Sequence, residues 1–215
     1  PIVVGGTSLY IRALLEGVFQ GPMADRGIRA ELEKLSIQEL RVQLESGDPE
    51  AAARIHPNDT RRSIRALEVL ALTGKRISEQ QSQWGQHMSS REDALLTGLN
   101  WPTDELNRRI NARVRLMLQN GFLEEVRGLL QNGGLGSQAS EAVGYRELSS
   151  AIAGECTIED ATEAIKIRTR RFAKQQRTWL RRFQTIPDSF WLDAQGASSS
   201  DLAAKTTEWI TQITT

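Results

Sequence analysis

The chain has 215 residues, with 27 Lys+Arg against 27 Asp+Glu and a formal net charge of zero, a length that suits one substantial core or two modest ones. A hydrophobic share of 39%, a charged share of 25% and a negative mean hydropathy exclude a collagen-like or disordered chain. No run reaches the ~18 consecutive apolar residues of a membrane span, and the first residues lack a secretory pattern, so a cytoplasmic location is the default expectation.

The opening stretch PIVVGGTSLY joins a β-branched run, Ile2, Val3 and Val4, to Gly5, Gly6 and Thr7. It predicts the end of a buried strand, a glycine turn and a helix capped by Thr7, with Leu9, Ile11, Leu14 and Leu15 on one face and an end near Gly17. A strand that passes through glycines into a helix can hold an anion at the free amides of the helix start. A plain tight turn fits the same residues.

From about residue 23 to about residue 91 only helix signals appear. Asp25 starts one helix; Ser36 and Glu39 form an S-x-x-E capping box for the next, with Gly47 beyond its end; Asp48 and Pro49 start another. Asn58 is placed to cap a helix over 59–73 with a stripe of Ile64, Leu67 and Leu70 or Ala71, stopped by Gly74. Residues 94–101 return to strand character, and after Pro102 the pattern has Thr103 capping a long helix. A helix over EAVGYRELSSAIAG, another opened by Thr157 and Asp160 that runs to Phe183, a short strand FWLD and a terminal helix follow. The plan is an α/β layer interrupted by a helical insertion.

Few residues offer metal or nucleophilic chemistry. Cys156 is the single cysteine and reads as an inert thiol, and His56 and His87 lack the spacing of a zinc site. Gly74 and Lys75 do not complete a G-x-x-x-x-G-K-[ST] loop, because Val69 and Arg76 stand at its first and last positions. Arginines are more informative. Arg113, between Ile110 and Met117 of the long helix, falls almost inside an apolar seam, where a guanidinium needs either a carboxylate or a bound phosphate. The run KIRTRRFAKQQRTWLRR at 166–182 carries eight basic and no acidic residues, with Phe172, Trp179 and Phe183 as its expected core seam. Such a run repels itself unless an anion, most simply a polyphosphate, lies against it. A second basic segment, RIHPNDTRRSIR at 54–65, adds polar groups at a loop and helix start.

VGGTSLYIRALLEG, DPEAAARIHPNDTRRSIRALEVLALTGKRISE, LNRRINARVRLMLQNGFLEEV, EAVGYREL and TRRFAKQQRTWLRRF occur in an order that closely resembles the bacterial tRNA dimethylallyltransferases, over nearly the whole chain. The resemblance implies transfer of a dimethylallyl group from its diphosphate to the exocyclic amine of the adenosine 3′-adjacent to the anticodon. Mg²⁺ assists, and the base is flipped from its stack. It implies an α/β, mostly helical fold: part of a P-loop NTPase-like parallel-sheet domain carrying an all-helical insertion. The division expected is 1–22 in the catalytic α/β domain, 23–92 as the helical tRNA-binding insertion, and 93–215 as the remainder with C-terminal helices.

Carried over by residue, the resemblance implies catalytic roles for Thr7, beside the flipped adenosine, and Arg113, on the diphosphate. It implies tRNA contacts for Arg29, Arg54, Ile55, His56, Pro57 and Asn58, and for Ile167, Arg168, Thr169, Arg170, Arg171, Phe172, Ala173 and Lys174. No metal ligand is expected from these residues. The implied partners are a tRNA anticodon stem-loop and dimethylallyl diphosphate, with no membrane, and the chain is expected to be a monomer. The family's Gly-rich segment ending in Gly-Lys-Ser/Thr, and the general-base aspartate after it, do not occur in this sequence. The expectation is that the chain begins after them and is inactive alone. Two competing classes are a non-catalytic RNA-binding module and a helical piece of a P-loop small-molecule kinase; the latter would bind tRNA with little salt dependence.

Overall fold

The computed structural model describes residues 1–17, 21–80 and 94–214; His87 and the boundary expected at residue 92 lie outside them. Among the described residues are eleven helices and two strands, divided between one unit of Pro1–Ser8 with Asp93–Thr215 and a second of Leu9–Glu92.

The second unit is helical. After α1 (Ser8–Glu16) come α2 (Arg26–Leu32), α3 (Ile37–Gly47), α4 (Pro49–Arg54), α5 (Thr60–Thr73) and α6 (Ile77–Gln80). Local signals set these starts and stops. The Asp25 carboxylate accepts from the Ile28 amide, Ser36 and Glu39 form the reciprocal capping box, and Gly74 takes the left-handed φ of 67° that ends α5. At α5 the cap is Asp59 rather than Asn58, for Asp59 Oδ1 accepts from the Arg62 amide at 3.1 Å. A charged carboxylate is the stronger acceptor, and it sits three residues before that amide. Leu40 and Leu44 of α3, Ala51 and Ala52 of α4, and Ile64, Leu67 and Val69 of α5 form the core, with Ile77 of α6 beside them.

The first unit holds the sheet. Strands β1 (Thr97–Asn100) and β2 (Phe190–Asp193) pair in parallel from Thr97 opposite Phe190 to Asn100 opposite Asp193. The Trp191 ring lies across Gly98, where a Cβ would come within 2.3 Å of it. Around the sheet and beyond it run α7 (Thr103–Gln119), α8 (Phe122–Gln131), α9 (Tyr145–Ile152), α10 (Ile158–Phe183) and α11 (Ser199–Thr214). Val114, Phe122, Val126, Leu148, Ala161 and Ile165 make its main core. The 26-residue α10 opens on the Thr157–Asp160 capping box and ends at Phe183, as its pattern predicts.

Three further expectations differ from the structure. Residues 2–4 form no strand, and Ile2 and Val4 are 93% and 91% exposed, because no strand among the described residues runs beside them. Thr103 is the first helical residue and not the cap of α7; Pro102 holds the cap position with no side-chain bond, and Thr103 Oγ1 accepts from Arg177. Phe172 and Trp179 are 50% and 41% exposed, since the cluster that buries Ala161 and Ile165 does not extend over the middle of α10; Phe183 is buried. No helix among the described residues is long and apolar enough to cross a membrane.

Candidate nucleic-acid interface

The first unit carries two clefts along α10. One, of about 590 Å³, opens at the C-terminal ends of both strands, between Asn100, Trp101 and Asp193 on one side and Gln176, Arg177 and Arg181 on the other. The carboxyl ends of parallel strands are where open α/β sheets bind ligands, because loops and helix starts converge there. The other, of about 520 Å³, lies between the start of α7 (Thr103, Leu106, Asn107) and Ile167, Arg170, Arg171, Ala173 and Lys174 of α10. Both include Arg177 and Arg181.

Partners on α10 itself and on other helices neutralise part of the basic run. Lys166 and Arg170 pair with Glu163 at 3.1 and 3.2 Å, and Arg170 also donates to Asn111 Oδ1 at 2.8 Å. Arg168 is held by Glu147 of α9. Burial works to raise the Glu147 carboxyl, but the Arg168 guanidinium and the Gly144 amide keep it below the ordinary carboxylate range. The side chains of Arg171, Lys174 and Arg181 have no hydrogen-bond or ion-pair partner among the described residues. Together with Arg177 they give the clefts an unneutralised cationic wall, which suits an anionic ligand.

Thr7 is exposed and directly follows Gly6, where a Cβ would stand 2.9 Å from Gln176 Nε2 of the first cleft. The glycine segment therefore runs close against α10 at the cleft wall. Arg113 is exposed, has no partner among the described residues and lines neither cleft. The expected near-burial of Arg113 does not occur: α7 buries Ile110 and Val114, and a residue adjacent to Val114 points about 100° away from it. Arg109, a turn earlier, lies over the Trp101 ring at 4.3 Å.

In the helical unit, Arg54, His56, Pro57 and Asn58 are exposed together on the passage from α4 to α5, while Ile55 packs against the core. Arg29 is differently placed. Its Nε and Nη2 donate to the two Glu68 oxygens at 2.8 and 3.0 Å, so one edge of the guanidinium is already occupied. Trp101, Arg177, Arg181 and Trp191 belong to the cleft but not to the residues expected from sequence. The two arginines lie within the basic run; for the tryptophans the only signal was their place beside strand ends.

A family model for IPP transferases matches residues 1–183. The chain belongs to the IPP transferase family. Among its relatives, the tRNA dimethylallyltransferase of Geobacter sulfurreducens is 46% identical over 193 residues, covering 86% of this chain and 61% of that protein. That of Fervidobacterium nodosum is 44% identical, covering 90% of this chain and 61% of its own length. This IPP transferase family member thus spans about three fifths of the length of the curated relatives it matches. Among solved structures, a eukaryotic dimethylallyltransferase acting on tRNA superposes with a TM-score of 0.77 at 28% identity, covering 99% of this chain and 57% of that one. The tRNA delta(2)-isopentenylpyrophosphate transferase of Staphylococcus epidermidis superposes at 0.60 with 33% identity, covering 99% and 69%. The resemblance in the sequence is borne out, and so is the mostly helical α/β fold with a parallel strand pair. The match ends at residue 183, yet β1 of this family member finds its strand partner beyond that point, in β2.

Proposed function

We propose that the protein carrying this chain is a tRNA dimethylallyltransferase, a cytoplasmic monomer that prenylates the adenosine 3′-adjacent to the anticodon. The observation that carries this is an unneutralised row of cations, Arg171, Lys174, Arg177 and Arg181, lining two clefts along α10, one of them at the strand ends, in an IPP transferase family member. In the reaction the adenosine amine forms a bond to the allylic carbon as the carbon–oxygen bond to the diphosphate breaks. The diphosphate leaves with the electron pair, and the amine proton passes to a base.

This chain's residues bind and orient. The free cations of α10, with the exposed residues Ile167 and Phe172 nearby, hold the RNA backbone by charge and contact. Thr7, beside Gln176, sits where the flipped base is held. Arg113 meets the departing diphosphate with an unspent guanidinium. The exposed Arg54, His56 and Asn58, with the free edge of Arg29, grip the stem-loop from the helical insertion spanning residues 23–92. Among the described residues no three His, Cys, Asp or Glu side chains converge to hold a metal ion. A Mg²⁺ site made by those side chains does not fit, and no step is assigned to the ion.

The test is transfer of labelled dimethylallyl from its diphosphate to tRNA by the intact protein. Label on the adenosine beside the anticodon is the expected result; tight, salt-sensitive tRNA binding without transfer would make this a non-catalytic RNA-binding module. Arg113→Ala is expected to lower turnover about 100-fold while tRNA affinity stays within about twofold. Equal losses in both would remove Arg113 from the diphosphate.

A further inference from the structure

The exposed residues at 54–58 sit on backbone that neither helix supports by itself. At Ile55 the chain leaves helical geometry, with φ −86° and ψ 125°. Two residues on, Pro57 has no amide to continue α4 and biases His56, the residue before it, away from helix. The Ala52 and Ile55 carbonyls then lack the donors a continuing helix would bring, the His56 and Asp59 amides, and the Asp59 amide turns back to the His56 carbonyl instead, at 2.8 Å.

A side chain from another helix supplies the donors. Arg41 Nη1 donates to both carbonyls, to Ala52 O at 2.8 Å and to Ile55 O at 3.0 Å, while its Nε donates to Glu45 at 2.6 Å. Arg41 stands beside Leu40 of α3, which is almost fully buried along with Leu44, so the donor is carried on a well-anchored helix. The pair with half-exposed Glu45 is a same-helix surface contact of small energetic value. The double capture of carbonyls is what ties α3 to the loop. Downstream, His56 Nδ1 accepts from the Asn58 amide at 3.2 Å, and Asp59 caps α5. A neutral ring that accepts at Nδ1 carries its proton at Nε2, so His56 presents a fixed donor.

We infer that Arg41 is a positioning residue for the RNA-gripping loop: it locks the backbone at 52–55 so that Arg54, His56 and Asn58 stand in binding geometry before RNA arrives. It lowers the ordering cost of association and makes no RNA contact itself. The inference rests on the proposed tRNA role of that loop.

The test uses the intact protein and an anticodon stem-loop. Affinity is measured for the parent, R41A, R41K, R54A/H56A/N58A and R41A/R54A/H56A/N58A, with amide hydrogen exchange followed at Asn58 and Asp59. R41A is expected to weaken binding about tenfold and to speed exchange at those two amides, with the core amides of α3 and α5 unchanged. R41K recovers part of the loss, since an ammonium can still donate to carbonyls. With the loop side chains already removed, R41A changes affinity by less than about twofold. A loss of equal size in both backgrounds would overturn the inference, because Arg41 would then act on RNA directly or through the whole fold. Unchanged exchange and affinity in R41A would also overturn it. Should R54A/H56A/N58A alone bind as the parent does, the tRNA role of the loop fails and the inference with it, an outcome separate from failure at Arg41. If R41A unfolds, the same comparison is made with R41K, for which additive loss is again the overturning result.

Discussion

Glu68 has no exposed side-chain surface, yet its two oxygens accept from Arg29 Nε and Nη2, Arg65 Nη1 and the Asp25 amide. Burial pushes such a carboxyl up, but the donors more than offset this and hold it at about 2, against an ordinary 4.5. The folded state therefore prefers the ionised form. The stability this confers is complete above pH 4.5 and is lost as pH falls toward 2. Glu68→Ala is expected to cost about 3 kcal/mol at neutral pH, since it strands two partly covered guanidiniums. Urea unfolding checks this, and the gap between parent and Glu68→Gln should narrow as pH drops below 4.5; a gap constant down to the acid limb would contradict it. Arg29→Ala should accordingly lower stability as well as tRNA affinity. Gly144 is constrained differently. Its φ is 102° and an added Cβ would lie 2.7 Å from the Phe122 ring, so Gly144→Ala meets both backbone strain and a rigid aromatic wall. A loss on the order of 3 kcal/mol is expected, read as a shifted denaturation midpoint.

Between elements, Asp48 does for the helical unit what no single helix can do alone. Its carboxylate caps α4 at the Ala51 amide and also accepts from the amide and hydroxyl of Ser78, fastening α6 to the α3–α4 junction. Although burial raises this carboxyl, the Ser78 and Ala51 bonds keep it below the ordinary aspartate range. Asp48→Ala removes a cap and leaves three donors unmet, a loss of about 3 kcal/mol, with faster exchange at the Ser78 amide as its local mark. A change confined to α4, with Ser78 still protected, would show that the α6 attachment lies elsewhere. The caps at Ser36, Thr157 and Gly74 were legible because each joins groups within four residues along the chain. Of the seam read on α10, only Phe183 is buried; Phe172 and Trp179 meet no core, and it is Ala161 and Ile165 near the helix start that pack inward.

Across the whole molecule, equal numbers of acids and bases conceal a cationic surface that exists only after folding. Pairing with Glu163, Glu147, Asn111 and Thr103 occupies Lys166, Arg168, Arg170 and Arg177, Arg182 lies over the Trp179 ring, and Arg171, Lys174 and Arg181 are left for an outside partner. If these three and Arg177 meet phosphates, the log–log salt dependence of stem-loop binding should have a slope near −3, from about −0.7 to −0.9 per contact. Replacing Arg171 and Lys174 together should reduce that slope by about 1.5. A slope unchanged by the double replacement would place the phosphates on another surface.

Much of this protein was determined by its sequence alone: the helix signals of α2 to α5, the start and end of α10, strand character within 94–101 and at 190–193, the basic run and the loop at 54–58. Those features depend on hydrogen bonds and periodicities spanning a few residues. Tertiary structure decided the rest: the exposure of Ile2, Val4 and Arg113, the burial of Glu68 against the half-covered Arg29 and Arg65, and the clefts along α10. Arg29 and Glu68 lie 39 residues apart, and Arg177 and Thr103 lie 74 apart. A charge finds its partner and an apolar residue its cover only when distant segments meet, and spacing along the chain does not encode which of them will.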